Sequence, residues 1–244
     1  MATARRERYR KQTREEAKAV ALAQLAEAGT AGISVNAIAK AMGMTGPALY
    51  RYFANRDELL TELITDAYRE LAEAASRAVA DAAPADRFRA LARALRDWAK
   101  RHPDRYLLIY GTPVPGYQAP PETTEIAARL MRTILDACAT VGGAAAPGSG
   151  TTGSGADGAG GEGAGGGGGQ CLTPLESELA RHLEGAGPWV PGEEPGGELK
   201  GRALRTWTRL HGVISLDLQG HFTDMGFDSS VLFEAEIDAL VRGG

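Results

Sequence analysis

Apolar residues recur at three- and four-residue spacing along most of this chain, and that periodicity constrains the fold more than any other feature. The longest example follows Asn55, where one apolar face continues for roughly 35 Å at 1.5 Å per residue before Pro84 must end the helix. No stretch alternates apolar and polar residues as a half-buried strand would. The sequence therefore predicts an all-α protein.

Glycines, prolines and capping residues divide this helical pattern into segments. We expect helices at about 13–28, 35–42, 46–53, 56–83, 86–100, 105–110, 122–141, 174–183, 198–222 and 229–242. The first short helices form an N-terminal three-helix head, and the long fourth helix joins it to a larger helical body. The predicted domains are residues 11–71 and residues 85–242.

A glycine-rich segment interrupts the body at residues 142–170, where fifteen of twenty-nine residues are glycine. Such a segment has almost no apolar surface to bury, so we expect a flexible insert. A phosphate-binding loop is the alternative use of many glycines. It is disfavoured because no apolar strand precedes the segment and no Gly-Lys-Ser/Thr follows it.

The formal net charge of −4 hides an uneven distribution. Residues 1–56 contain ten Lys or Arg and four Asp or Glu, whereas the remainder contains seventeen and twenty-seven. A basic head on an acidic body indicates that the head alone has a polyanionic partner.

No membrane segment or secretory signal is evident in the sequence. The N-terminal residues are charged throughout, without the apolar stretch of a signal peptide, and no run of eighteen apolar residues occurs. We therefore expect a cytoplasmic protein with no membrane partner.

The most informative segment is ISVNAIAKAMGMTGPALYRYFANRDELL, residues 33–60. Two short helices meet at a tight turn made by Gly43, and the small Ala39 lets the second helix cross closely over the first. Apolar side chains form a miniature core: Val35, Ile38, Met42, Leu49, Phe53 and Leu59. This is the pattern of a helix-turn-helix. Helix-turn-helix geometry also occurs in helical bundles that do not bind nucleic acid.

The second helix of this motif presents polar groups outward. Ser34 and Thr45 are placed to cap the two helices, and Pro47 lies in the first turn, where its missing N–H costs nothing. Gly46 allows close backbone approach to a surface. Tyr50 and Arg51 supply a hydroxyl and a guanidinium suited to phosphates and base edges.

The joint spacing of Ile38-Ala39, Gly43, Leu49-Tyr50, Phe53 and Leu59-Leu60 resembles the DNA-binding domain of the TetR family over about residues 11–70. The resemblance implies a recognition helix at residues 46–52 that reads the major groove as one half of a dimer. It also implies that Arg56 meets a phosphate at the start of the fourth helix. The expected DNA-binding residues are Ser34, Thr45, Gly46, Pro47, Tyr50, Arg51, Tyr52 and Arg56. Tyr52 could equally pack into the head.

A second resemblance lies in WTRLHGVISLDLQGHF, residues 207–222. Trp207, His211 and Gly212 are similar to the signature of a Trp-His-Gly type C-terminal domain found in some TetR relatives. This resemblance implies a ligand-binding and dimerisation body over roughly residues 85–242. The glycine-rich insert departs from a compact form of that domain.

Aromatic and apolar side chains of the body are candidates for a ligand cavity between helices. The expected lining is Trp98, Tyr106, Leu107, Tyr110, Met131, Leu135 and Trp207. Each of them could instead belong to the hydrophobic core. We expect an unknown small apolar or aromatic effector and no cofactor.

The two last helices carry apolar faces that we expect to pair with their copies in a homodimer. The residues of these faces are Leu204, Trp207, Leu210, Ile214, Leu218, Phe222, Leu232, Phe233, Ile237, Leu240 and Val241. Two-fold symmetry would match a palindromic double-stranded DNA operator.

Catalysis and metal binding have little sequence support. Asp217 and His221 share a helix face, but two ligands are too few for a metal site. No nucleophile–base motif surrounds the four histidines.

The sequence thus predicts a ligand-released TetR-type repressor. The alternative is a small-molecule-binding helical protein or enzyme whose head contacts a protein. The first hypothesis predicts that Arg51 and Arg56 face outward.

Overall fold

The computed structural model describes residues 2–111, 117–141, 172–192 and 194–243. Regular structure in these ranges is helical, without strands, which confirms the all-α prediction. The helices are α1 (Ala2–Ala28), α2 (Val35–Ala41), α3 (Gly46–Leu49), α4 (Arg56–Asp81), α5 (Arg87–Arg101), α6 (Pro103–Tyr110), α7 (Pro121–Val141), α8 (Pro174–Glu184), α9 (Gly197–Leu218) and α10 (Ser229–Arg242). The insert predicted at residues 142–170 lies outside the described residues. Across the described ranges, no helix is long and apolar enough to cross a membrane.

The head consists of α1, α2, α3 and the first turns of α4 around one small hydrophobic core. Ile38, Leu49, Phe53 and Leu59 are completely buried there. Gly43 makes the turn between α2 and α3 with a φ of 66°, a left-handed conformation that other residues adopt only with strain. The miniature core predicted from the sequence is therefore present.

The first helix begins earlier than the sequence pattern predicts, at residue 2 rather than near residue 13. Residues 4–12 are all exposed, so they carry no apolar periodicity from which a helix could be recognised. They contain Arg, Glu, Lys and Gln but neither glycine nor proline, and these residues favour a helix. Helix α1 therefore extends well beyond the packed head.

The body packs α4, α5, α7, α9 and α10 around a second and larger core. Helix α4 belongs to both cores: Leu59, Leu60 and Leu63 face the head, while Leu71 and Ala75 face the body. Asn55 caps this helix by accepting a hydrogen bond from the backbone N–H of Glu58 at 2.8 Å. The head and the body are thus joined by a continuous helix of 26 residues.

Helix α6 also connects the two cores, although it has only eight residues. Tyr106 is buried in the core of the body. Leu108, two residues later, is 6% exposed and belongs to the core of the head. A displacement of this short helix must therefore disturb side chains in both cores.

The apolar faces predicted for the two last helices are largely used within the protomer. Leu210, Ile214, Phe233, Ile237 and Leu240 are buried in the core of the body. The prediction that these side chains pair with a partner copy was therefore wrong for them, because α9 packs against α5, α7 and α10, and α10 packs against α9 and α5 within the same protomer. The exposed large apolar side chains of α8, α9 and α10 are instead Leu175, Leu216 and Val231.

Candidate nucleic-acid interface and candidate ligand cavity

Helices α2 and α3 are positioned by different end interactions. The Ser34 hydroxyl caps α2 by accepting from the backbone N–H of Ala37 at 3.3 Å. Thr45 occupies the same position before α3, but its side chain makes no capping hydrogen bond, contrary to expectation. Pro47 fits the first turn of α3 as predicted, because no N–H partner is needed there. The Thr45 hydroxyl is exposed and remains available to a partner molecule.

The recognition helix predicted at residues 46–52 is helical only from Gly46 to Leu49, and Tyr50 and Arg51 lie in the turn that follows. Leu49 is completely buried, whereas Pro47, Tyr50 and Arg51 are exposed, Tyr50 by 44%. An exposed tyrosine next to an exposed guanidinium can donate hydrogen bonds to phosphate oxygens and base edges. The expected outward orientation of these residues is therefore present.

Gly46 has a role that the sequence did not indicate. A Cβ atom at this position would lie 2.5 Å from Oδ1 of Asn36, a side chain of α2. A larger residue at position 46 would therefore displace the amide of Asn36 from its present position beside the start of α3. Asn36 is exposed on α2 and adjoins the candidate interface, but its polarity alone gave no signal in the sequence.

Arg56 does not face outward as the sequence-based hypothesis required. Its Nε donates to the carbonyl oxygen of Ile33 at 3.1 Å, and its Nη2 donates to the carbonyl oxygen of Thr30. The side chain is half-buried and holds the turn after α1 against the start of α4. Tyr52 is also half-buried and packs against the head core. The structure therefore gives both residues a structural role.

Arg14 links α1 to the turn between α3 and α4. Its guanidinium lies 4.4 Å from the centroid of the Phe53 ring, pairs with Glu58 at 3.0 Å and with Glu62, and donates to the carbonyl oxygen of Tyr52. The carboxylate of Glu58 accepts a hydrogen bond from the backbone N–H of Ala54 at 2.6 Å. This hydrogen bond lowers the pKa of Glu58, and Arg14 lowers it further. The sequence reasoning missed Arg14 because its partners are 38 to 48 residues away.

A second ion pair sets the relative direction of α1 and α4. Lys18 of α1 pairs with Asp66 of α4 at 2.6 Å. Lys18 follows Arg14 by four residues on α1, and Asp66 follows Glu58 and Glu62, the partners of Arg14, by eight and four residues on α4. Residue numbers thus increase together along both helices, which run in the same direction. The N-terminal end of α1 therefore projects past the N-terminal end of α4.

A small cavity of about 170 Å³ opens between α4, α6, α7 and α9 in the body. Its lining is apolar and aromatic: Tyr68, Tyr110, Ala127, Leu130, Met131, Ile134 and Trp207. Tyr110, Met131 and Trp207 were predicted from the sequence. Tyr68 was missed because it flanks the apolar face of the long helix rather than lying within it.

The other predicted lining residues do not border this cavity. Trp98, Tyr106 and Leu135 are at most 3% exposed and form part of the core of the body. Leu107 borders a different space, a cleft of about 490 Å³ between the end of α1 and α6. Neighbouring positions in the sequence lie on different sides of a helix, so proximity along the chain did not identify the wall.

Three of the lining residues, Tyr68, Tyr110 and Trp207, belong to an aromatic cluster that also contains Tyr106 and His211. The rings of Trp207 and His211 stack with centroids 5.1 Å apart, and Tyr110 lies 4.8 Å from Trp207. The hydroxyl of Tyr106 hydrogen-bonds Nδ1 of His211 at 2.8 Å. Burial raises the pKa of Tyr68, Tyr106 and Tyr110 and lowers that of His211, so all four side chains are neutral at pH 7.

The Asp217 carboxylate, considered above as half of a metal pair with His221, instead faces Arg96 at 3.3 Å. Among the residues that the structure describes, no group of three or more His, Cys, Asp or Glu side chains could hold a metal ion.

Comparison with known proteins places this arrangement among bacterial regulators. A family model described as bacterial regulatory proteins, tetR family, matches residues 19–63, and one described as the tetracyclin repressor-like C-terminal domain matches residues 88–240. The HTH-type transcriptional regulator Rv1816 of Mycobacterium tuberculosis is 36% identical over 233 residues, which cover 93% of this chain and 90% of that protein.

Solved structures agree with this comparison. The crystal structure of the regulatory protein SCO4313 is 46% identical, with a TM-score of 0.73 over 96% of this chain and 97% of that chain. The TetR family regulator PfmR from Thermus thermophilus is 19% identical, with a TM-score of 0.50 over 94% of this chain and 96% of that chain, and it supports the fold alone.

Proposed function

Because this chain belongs to the TetR family of DNA-binding transcriptional regulators, we propose that it is a repressor released from its operator by a small ligand. The observation that carries this proposal is the segment of α3 and the turn after it, which buries Leu49 in the head and exposes Tyr50 and Arg51. A bound repressor of this kind would block access of polymerase to a promoter.

The proposed DNA contacts follow from exposure. Thr45 directly precedes α3, and Tyr50 and Arg51 directly follow it; all three are exposed and would reach base edges and phosphates in the major groove. Ser34 and Pro47 are exposed beside them. The hydroxyl of Ser34 can donate a hydrogen bond to a phosphate while its oxygen caps α2.

Three further residues of the expected set would act on DNA indirectly. Gly46 would support recognition by leaving room for the Asn36 side chain of α2 beside the start of α3. Tyr52 and Arg56 would support it by holding the head together, through apolar packing and through hydrogen bonds to the carbonyl groups of Thr30 and Ile33.

We propose that the working unit is a homodimer on a palindromic operator. A single short recognition helix reads few base pairs, and two-fold symmetry doubles that number. The exposed Leu216 of α9 and Val231 of α10, 42% and 67% exposed, and Leu175 of α8 would lie in the contact between copies. A self-complementary contact of this kind would cover these three exposed side chains.

The effector would occupy the cavity lined by Tyr68, Tyr110, Met131 and Trp207. A volume of about 170 Å³ is close to that of a cavity that binds benzene, so a molecule with a single small ring suits it. The ring edges and faces of the lining aromatics favour an aromatic ligand over a flexible aliphatic one. Tyr68 and Tyr110 carry hydroxyl groups that can bond one polar substituent.

Ligand binding would act on DNA affinity through α6. Tyr110 borders the cavity, while Leu108 on the same helix is buried in the head core. A ligand that displaces Tyr110 would move Leu108 and thereby tilt the head relative to α4. The spacing of the two recognition helices in the dimer would then no longer match two half-sites about 35 Å apart. A ligand shifts this equilibrium only if it binds the two states with different affinity.

Selection of bound fragments from random double-stranded DNA, followed by titration of the selected duplex, tests the proposal. We expect one palindromic sequence, bound with a steep dependence on salt because phosphate contacts release counterions. Small aromatic compounds are then titrated against the complex. If no sequence is recovered, DNA binding is rejected. The alternative hypothesis, a head that contacts a protein, predicts this result. Compounds that bind the cavity but leave DNA affinity unchanged would reject the ligand-release step.

A further inference from the structure

The N-terminal end of α1, residues 4–12, is a basic helical arm outside the packed head. It contains five cations, Arg5, Arg6, Arg8, Arg10 and Lys11, and a single acidic residue, Glu7. Every residue of the arm is exposed. Within the described part of the chain, none of the five cations forms an ion pair, in contrast to Arg14 and Lys18 directly after them.

The C-terminal end of the arm lies next to the candidate recognition surface. Arg14, just after the arm, donates to the carbonyl oxygen of Tyr52, the residue that follows Tyr50 and Arg51 in sequence. Since α1 and α4 run in the same direction, the arm extends beyond the start of α4. Its nine residues span roughly 13 Å at 1.5 Å per residue, the length of about four base pairs at 3.4 Å each.

The arm has two distinguishable faces. Arg6 and Arg10 precede Thr13, Ala17 and Ala21 at three- and four-residue steps, so they continue the face of α1 that is buried in the head. Beyond the packed head this face lies on the side of the start of α4, where the charge of Arg10 lowers the pKa of Glu58. Arg5 and Arg8 lie on the opposite face of the same helix.

The positive side chains of the arm repel one another and slightly destabilise this end of α1. Arg6 and Arg10 are four residues apart on one face, and like charges at that spacing destabilise an exposed helix. A helix end without tertiary packing has little else to stabilise it. Bound phosphates would convert this repulsion into attraction.

We propose that the arm is a second DNA-binding element, in which Arg6 and Arg10 hold the phosphate backbone flanking each half-site. This inference rests on the proposed DNA binding and adds a partner for a surface that α3 does not use. The arm makes no base-specific contact in this arrangement. It therefore increases affinity and salt dependence but leaves the recognised sequence unchanged.

The test compares two double variants of the full-length protein that lose the same charge, Arg6→Ala with Arg10→Ala and Arg5→Ala with Arg8→Ala. The probe is the palindromic duplex recovered by selection, with or without about five flanking base pairs on each side. We expect the first variant to lower affinity for the longer duplex by at least about tenfold at about 0.1 M salt. Because the dimer loses two cations from each protomer, the slope of log K against log salt should decrease by about 4. The affinity and the salt slope of the second variant should differ much less from those of the unmodified protein.

The duplex length separates contact from general charge. Removal of the flanking base pairs should weaken the unmodified protein and leave the Arg6/Arg10 variant unaffected. A variant with Arg6→Lys and Arg10→Lys should retain the salt slope, and thermal melting of each variant verifies the fold. Equal losses in both alanine variants, or no effect of duplex length, would overturn the arm proposal alone. Failure of the unmodified protein to select any duplex would remove the proposed DNA binding and the arm proposal with it.

Discussion

The hydroxyl of Tyr106 and Nδ1 of His211 are 2.8 Å apart, although the two residues are separated by 105 positions in the sequence. This contact ties α6 to α9 inside the body. It places a titratable imidazole in the aromatic cluster, where burial lowers the pKa of His211.

The lowered pKa of His211 predicts that acid destabilises the body. The unfolded chain takes up a proton near the ordinary histidine pKa of about 6.5, whereas the folded chain resists protonation until lower pH. The free energy of unfolding is therefore highest above the unfolded pKa of this histidine, and it falls as the pH decreases toward the pKa of His211 in the folded protein. We expect the melting temperature to decrease between about pH 7.5 and pH 5.5. The melting temperature of the His211→Asn variant should decrease less over the same pH range.

His182, exposed on α8, provides the matched control, because His182→Asn should melt with the pH dependence of the unmodified protein. His102, whose pKa burial also lowers, accounts for the dependence that persists in His211→Asn. A His211→Asn protein as acid-sensitive as the original would contradict the prediction.

Arg51 and Arg56 should separate recognition from stability. Arg51→Ala removes an exposed guanidinium, so we expect DNA affinity to fall by about 1–3 kcal/mol with an unchanged melting temperature. Arg56→Ala removes the hydrogen bonds to the carbonyl groups of Thr30 and Ile33, and we expect a loss of unfolding free energy of about 1–2 kcal/mol. Filter binding and urea titration measure the two effects. A fully stable Arg56→Ala protein with weakened DNA binding would restore Arg56 as a direct phosphate contact.

Filling the ligand cavity should block the effector without affecting the operator. Ala127 lines the cavity on α7, and Ala127→Leu would occupy part of its volume of about 170 Å³. We expect effector affinity to fall on the order of tenfold while DNA affinity is unchanged. Ala128→Leu is the control, since Ala128 is half-buried on the same helix but does not border the cavity. Isothermal titration with a responsive compound gives the affinities, and equal effects of both substitutions would place the effector elsewhere.

Leu108→Ala should weaken the head although the substitution lies in α6. Removal of a buried leucine side chain leaves a cavity and costs about 2–5 kcal/mol. Leu107→Ala, at a half-buried neighbour that borders the cleft beside α1, should cost much less. Hydrogen exchange of α2 and α3 amides measures the local effect. Protection in α2 and α3 that is equal in both variants would show that the head is stable without Leu108.

Much of the head was predictable because its determinants are local. Gly43, the Ser34 cap and the Asn55 cap act over three or four residues, and apolar spacing identifies Ile38 and Leu49 as buried. The contacts that sequence reasoning missed are distant in the chain. The pairing of Arg14 with Glu58 and Glu62 spans 44 and 48 residues and leaves no periodic signal.

The ligand cavity was predictable only in part. The spacing of apolar residues indicates that Trp98, Leu135 and Trp207 face inward, but it does not indicate which of them contact one another and which border a void. Likewise, the stripe on α9 and α10 predicts burial without specifying the partner. The structure shows that Leu210 and Phe233 are covered by the same chain, which the sequence pattern could not distinguish from a partner copy.

The insertion of Leu108 into the head core bears on how regulators of this kind can be recombined. The boundary predicted near residue 71 would separate the two units along the sequence, yet a head cut there would lack Leu108, one of its buried side chains. A chimera that joins this head to a foreign body would inherit that body's α6, with whatever residue occupies the position of Leu108. Exchanges of operator specificity should therefore transfer α2 and α3 alone, or carry α6 together with the head.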